Sequence, residues 1–126
     1  MQISHLDHLV LNVSDIDKAI TFYVGLLGME EIHFSNQRIA LRFGNQKINL
    51  HQADTPTSPK AKRPTIGSAD LCLIVDTPLE TVMQELAEKN ISLVEGVVER
   101  TGATGKLRSL YIYDPDGNLV ELANVV

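Results

Sequence analysis

From His5 to Val13 the chain reads HLDHLVLNV, polar and apolar residues in alternation, the period of a strand with one buried face. The period then lengthens. Ile16, Ala19, Ile20, Tyr23 and Leu27 recur at helical spacing. Ser14 is the predicted N-cap, with Asp17 at capping-box distance, and Gly28 is the predicted stop. Three more strand patterns follow, MEEIHF, RIALRF and KINLH, with the turn pair Gly44-Asn45 between the last two. The order then repeats. ADLCLIV (69–75) reads as a strand, and Thr77-Pro78-Leu79-Glu80 as a helix start with Thr77 as cap and Pro78 in the first turn. Val82, Met83 and Leu86 carry its apolar stripe, and Asn90 ends it. ISLVEG, SLYIYD and NLVELANV complete the set, the last two joined by the tight turn Asp114-Pro115-Asp116-Gly117-Asn118.

The pattern predicts βαβββ over 3–53, a Pro-, Ser- and Lys-bearing linker over 54–67, and βαβββ again over 68–126. The fold class is α+β. Each module leaves one sheet face for its helix and a second that pairing of the two sheets completes into a cup. The 126 residues form one compact domain.

Laying the halves on one another places His8 on Asp70, 62 positions apart, and His51 on Glu121, 70 apart. The difference of eight matches the segment ERTGATGK, 99–106. The four matched positions hold four residues able to ligate a metal, set among apolar neighbours. His8 shares a strand face with Val10, and Glu121 with Leu119 and Ala123. A carboxylate buried without a partner costs several kcal/mol, and a cation removes that penalty. Two imidazoles and one carboxylate, His8, His51 and Glu121, form a set used by catalytic divalent metals. His5 and His33 lack such counterparts and are expected on the surface.

Composition narrows the function classes. The formal net charge is −5, and apart from Lys60, Lys62 and Arg63 the cations are scattered. This pattern excludes a nucleic-acid surface. Cys72, the single cysteine, allows no internal disulfide and is expected to be a buried structural thiol in a reducing compartment. No stretch approaches a membrane span, and MQISHLDHLV lacks signal-peptide character, so a cytoplasmic protein is expected. The segment 99–106 is either a plain hairpin loop or a flap presenting Arg100 to an anionic substrate. Arg63 is a second candidate for that work. Of Tyr111 and Tyr113, one is expected to line the cup. The glycines of 99–106 lack the strand-to-helix context of a phosphate cradle.

LDHLVLNVSDIDKAITFYVGLLGME and YIYDPDGNLVELANV resemble the vicinal oxygen chelate proteins, the glyoxalase/bleomycin resistance/dioxygenase superfamily. KINLHQ, IGSADLCLIV and VERTGATG resemble its glyoxalase-domain-containing protein 5-like, virulence-associated subgroup. The resemblance spans the chain. It implies two βαβββ modules forming a cup-shaped mixed sheet around a divalent ion (Zn, Ni, Mn, Co or Fe). It implies a homodimer and a small-molecule substrate, in some relatives thiol-conjugated. Ligands come from the first and last strands of each module, here His8, His51 and Glu121, with Asp70 where relatives carry His. Asp70 is left as a fourth ligand, a water-mediated one, or a residue turned away. The implied activity is that of a glyoxalase I-like lyase or isomerase, with Glu121 as base and Asp70 second. The alternatives are an Fe(II) extradiol-type dioxygenase and a non-catalytic drug-binding protein.

Overall fold

The computed structural model describes all 126 residues. The chain divides into two compact units, Met1–Gly67 and Ser68–Val126.

The first unit holds β1 (His8–Val13), α1 (Ile16–Ile20), β2 (Glu30–Phe34), β3 (Arg38–Phe43) and β4 (Gln46–Gln52). Its sheet runs β1-β4-β3-β2, with β1 parallel to β4 and the other neighbours antiparallel. Leu11 and Val13 of β1, Leu41 of β3, and Ile48 and Leu50 of β4 share one face and are buried. Ala19, Phe22 and Tyr23 cover them, the two rings meeting edge to face at 4.9 Å. After Ile20 the helix widens into a π-helical stretch, Thr21–Leu26, and Leu27 N–H bonds the Phe22 carbonyl five residues back. This widening lets consecutive Phe22 and Tyr23 both face the sheet, which the regular stripe does not anticipate. Gly28, at φ +76, ends the segment as predicted.

The second unit holds β5 (Asp70–Ile74), α2 (Leu79–Glu88), β6 (Glu95–Thr101), β7 (Lys106–Tyr113) and β8 (Leu119–Val125). Its sheet order, β5-β8-β7-β6, repeats the first, with β5 and β8 parallel. Leu110, Ile112, Val120 and Leu122 are buried with Leu79, Val82 and Leu86 of α2. Asn118 has no exposed surface; its amide takes Ala69 N–H at 2.9 Å and donates to Asp114 at 2.7 Å. The 114–118 turn is thereby tied to the entry of β5.

Both helix starts differ from the sequence expectation, and in a related way. The cap of α1 is Asp15, whose carboxylate takes Lys18 N–H, in place of Ser14. Pro78 holds the cap position of α2, where no side chain of the cap serves. A carboxamide from the last strand takes the first helical amide in each unit. Gln52 accepts from Ile16 N–H and donates to the Ser14 carbonyl. Asn124 accepts from Leu79 N–H and donates to the Val75 and Thr77 carbonyls. A first-turn amide that would otherwise lack a partner is satisfied by the sheet.

The strand expected over 91–96 begins at Glu95 and runs on to Thr101. Residues 99–106 are therefore chiefly the paired end of the β6–β7 hairpin, with Arg100 opposite Leu107 and Gly102 N–H bonding the Gly105 carbonyl. Only residues 102–105 lie outside the two strands.

Candidate functional site

Paired residues in neighbouring strands project to the same side. In the first unit His8 lies opposite Lys47, Val10 opposite Asn49, and Asn12 opposite His51. All six share the face away from α1. His8 and His51 stand four residues apart along parallel strands, about 13 Å at a strand rise of roughly 3.3 Å per residue. The unit puts both imidazoles on one face without bringing them together.

The same register re-measures the repeat. Asp70 lies opposite Leu119, as His8 does opposite Lys47. With His8 on Asp70, the last strands are offset by 72 positions, not 70, and the equivalent clamps Gln52 and Asn124 keep that spacing. The position matching Glu121 is Asn49, and His51 matches Ala123. Two extra residues explain the difference. One precedes α2, which starts 63 positions after α1. The other is in the turn between Tyr113 and Leu119, where five residues stand against four between paired Arg42 and Lys47. Asn49 is 4% exposed, and its Oδ1 has no hydrogen-bond partner.

His8 itself is oriented. Its Nδ1 lies 2.7 Å from the Asp7 carboxylate, which the imidazole draws below the usual carboxylate range. In the neutral ring with Nδ1–H donating to Asp7, Nε2 keeps its lone pair. A carboxylate behind the second ring nitrogen is the ordinary support of a metal-ligating histidine. Asp7 was missed in the sequence because an exposed acid beside a histidine is unremarkable until the contact is seen. At the β3–β4 end of this unit a cavity of about 590 Å³ is lined by Asp7, Glu30, Arg42, Gly44, Asn45, Gln46 and Lys47. Arg42 there is held by both oxygens of Glu30. Lys47 Nζ sits 3.9 Å over the Phe34 ring.

In the second unit Asp70, Cys72, Tyr111, Tyr113, Leu119 and Glu121 share the face away from α2. Asp70 and Glu121 are two positions apart on paired strands, about 7 Å along the strand direction. Glu121 is half-buried and flanked directly by Cys72 and Tyr111. Cys72 departs from expectation: it is exposed, because alternation sends its neighbours Leu71 and Leu73 to the helix side. Burial of its sulfur, then the charge and hydrogen bonding of Glu121, push the thiol up to about 11. Tyr111 is also raised, first by burial and then by Glu121, against the opposing hydrogen bond from Arg100. Arg100 Nε donates to the Tyr111 hydroxyl at 2.8 Å, and Nη2 reaches Glu95 at 3.3 Å. Tyr111 and Tyr113 are two residues apart and so share a side, contrary to the expectation that only one does; Tyr113 is the more exposed. Arg63 is exposed, as are His5 and His33.

Within neither unit do three His, Cys, Asp or Glu side chains gather as a complete metal cluster. Asp70 and Glu121 are neighbouring carboxylates on one face of the second unit, and in the first unit His8 offers a supported imidazole nitrogen. No helix is long and apolar enough to cross a membrane.

The profile of the Glyoxalase/Bleomycin resistance protein/Dioxygenase superfamily matches residues 5–122. Virulence protein STM3117 of Salmonella typhimurium is 56% identical over 126 residues, covering 100% of this chain and 88% of that protein. Its crystal structure matches with TM-score 0.97 over 100% of both chains. Glyoxalase domain-containing protein RDO1 of Mycosarcoma maydis is 46% identical over 124 residues, 98% of this chain and 70% of that protein. An integron cassette protein from the V. cholerae mobile metagenome is 51% identical, with TM-score 0.96 over 98% of this chain and 97% of that one. With its two four-stranded mixed sheets and its profile match, this chain belongs to the glyoxalase/bleomycin resistance/dioxygenase superfamily.

Proposed function

We propose that this protein is a divalent-metal-dependent lyase or isomerase of the glyoxalase I type, acting on a small substrate with adjacent oxygens. The supporting observation is the Asp7–His8 pair, which leaves one ring nitrogen of His8 free to ligate. Family members commonly use divalent metals and bind small molecules. His8 and Glu121 are the proposed principal ligands. Asp70, matched to His8 by register, and His51, on the same face as His8, are the proposed further donors. A bound ion supplies Lewis-acid stabilisation of negative charge that develops on substrate oxygens.

The chain's own part is proton movement and placement. Glu121 is the proposed base, shifting a proton between adjacent carbons, with Asp70 as the second candidate. Arg63, exposed, is the proposed contact for an anionic, thiol-conjugated substrate. Arg100 and Tyr111, bonded to each other on the sheet that carries Glu121, are further proposed substrate contacts. The proposed assembly is a homodimer, which is frequent in this family.

The test is conversion of the hemithioacetal of a 2-oxoaldehyde and a thiol to the 2-hydroxyacyl thioester. The protein is loaded in turn with Zn, Ni, Mn, Co or Fe(II). The account expects turnover with at least one metal and a loss of about a hundredfold or more in Glu121→Gln. No thioester with any metal and several thiols would remove the glyoxalase reading.

A further inference from the structure

One row of directly opposed residues crosses the first sheet: Glu30 on β2, Arg42 on β3, Lys47 on β4 and His8 on β1. Arg42 and Lys47 are cations facing one another across an antiparallel pair. Like charges so placed destabilise the pair unless something negative lies between them. Arg38, also on β3, shares this face. The strand residues of the face away from α1 thus include three cations, Arg38, Arg42 and Lys47, against one carboxylate, Glu30. The acidic balance of the whole chain, net −5, is reversed here.

Neither central cation is held fast by what it touches. Glu30 bonds Arg42 through Nη2 alone, at 3.0 and 3.1 Å, and the side chains of Arg42 and Glu30 are 53% and 61% exposed. An ion pair so open to water is weak. The donors on Nε and Nη1 are not used by Glu30. Lys47 rests its Nζ over the Phe34 ring at 3.9 Å, and Arg38 lies over the same ring at 5.0 Å. Contact with a ring face is weaker than a charge-assisted hydrogen bond to a carboxylate.

Arg42 and Lys47 line the cavity of about 590 Å³, together with Asp7, Glu30 and the turn that begins at Gly44. Its walls are tied together. Gln46 Nε2 donates to the Leu6 carbonyl at 3.1 Å, and the Asp7 carboxylate is held by His8 at 2.7 Å. Asp7 and Glu30 put two negative charges in the lining, which repel a dianion more than a monoanion. The planar guanidinium fork matches a carboxylate.

The geometry points to a binding site for a small monocarboxylate in this cavity, with Arg42 and Lys47 as its cationic contacts. The anion accepts from both side chains and relieves the repulsion between them. The site uses none of the residues proposed for the reaction and needs no metal, so it stands or falls apart from that reading.

The test is an NMR titration of the full isotope-labelled chain with sodium benzoate, and with inorganic phosphate in parallel at matched ionic strength. Saturable shifts are expected at the backbone amides of residues 44–47 and at Arg42 Nε–H, with phosphate binding more weakly than benzoate. Arg42→Gln and Lys47→Gln are each expected to weaken benzoate about fivefold or more. Lys60→Gln removes an exposed cation that does not line the cavity, and should leave the affinity unchanged. Glu30→Gln removes negative charge and releases Nη2, so binding should tighten about two- to fivefold. A purely structural Glu30–Arg42 pair would give no such gain. Should Arg42→Gln fail to fold, as an unfolding midpoint would show, Lys47→Gln and Glu30→Gln decide. Absence of saturable shifts at the cavity, equal weakening by Lys60→Gln, phosphate binding as tightly as benzoate, or weaker binding in Glu30→Gln would each overturn the proposal.

Discussion

Replacing Asn124 with alanine removes three hydrogen bonds while leaving the apolar core intact. The carboxamide accepts from Leu79 N–H at 2.9 Å and donates to the carbonyls of Val75 at 3.0 Å and Thr77 at 2.9 Å. Each is worth roughly 0.5–1.5 kcal/mol net. Loss of the first also strips α2 of the group acting as its cap, since Pro78 provides no side-chain bond. The site is part-buried, so water replaces some of what is lost. The expected destabilisation is about 2–3 kcal/mol. Urea unfolding followed by far-UV circular dichroism is the assay, and a midpoint lower by about 1–2 M at unchanged slope is the predicted result. Gln52→Ala is the parallel test in the first unit, where two bonds are lost and about 1–2 kcal/mol is expected. A loss below about 0.5 kcal/mol for Asn124→Ala would refute the claim that the last strand holds the helix start.

Two further predictions concern single positions. In Gly96→Ala the new Cβ would lie 2.7 Å from Leu110 Cβ and 2.8 Å from Leu110 Cα, at φ +138. A loss of about 2–4 kcal/mol is expected by thermal or urea unfolding, and a near-neutral result would show that β6 shifts away at little cost. Cys72 is exposed, yet it is expected to react slowly with thiol reagents at pH 8. With its thiol pushed from 9.0 to about 11, thiolate is about a hundredfold scarcer than in an ordinary cysteine below pH 9. Deprotonation is disfavoured, so the reaction should accelerate as pH rises toward 11. Glu121→Gln should speed it at pH 8, and an unchanged rate would show that Glu121 does not act on the sulfur.

Much of the fold was legible because apolar alternation and helical spacing repeat in the same order twice. The turn residues Gly44-Asn45 and 114–118 and the stops Gly28 and Asn90 fell where the backbone bends. The α1 cap fell one residue from the expected Ser14, on Asp15, and the carboxamides that take the first helical amides were not legible because they come from strands 36 and 45 residues away. The register of β4 and β8 was missed for a related reason. Counting the long hairpin accounted for eight residues, while single-residue additions before α2 and in the last turn leave no periodic signal. An error of two residues preserves the strand face, so Glu121 still shares its face with Leu119 as expected. The partner position of Glu121 nevertheless moved from His51 to Asn49. Cys72 was misread because an apolar run such as DLCLIV looks buried on both faces, whereas here only one face meets the helix.

The most direct test of the central claim is the stoichiometry and affinity of divalent-metal binding. Wild type, His8→Ala, Glu121→Gln, Asp70→Asn, His51→Ala and Asn49→Ala would be measured side by side after chelator treatment and titration. The account predicts about one ion per chain in wild type. Binding should fall by tenfold or more in His8→Ala and Glu121→Gln. It should fall more in Asp70→Asn than in His51→Ala, because Asp70 holds the register position that matches His8. No uptake by wild type, or uptake indifferent to both His8 and Glu121, would contradict the account and leave a metal-free binding protein in its place.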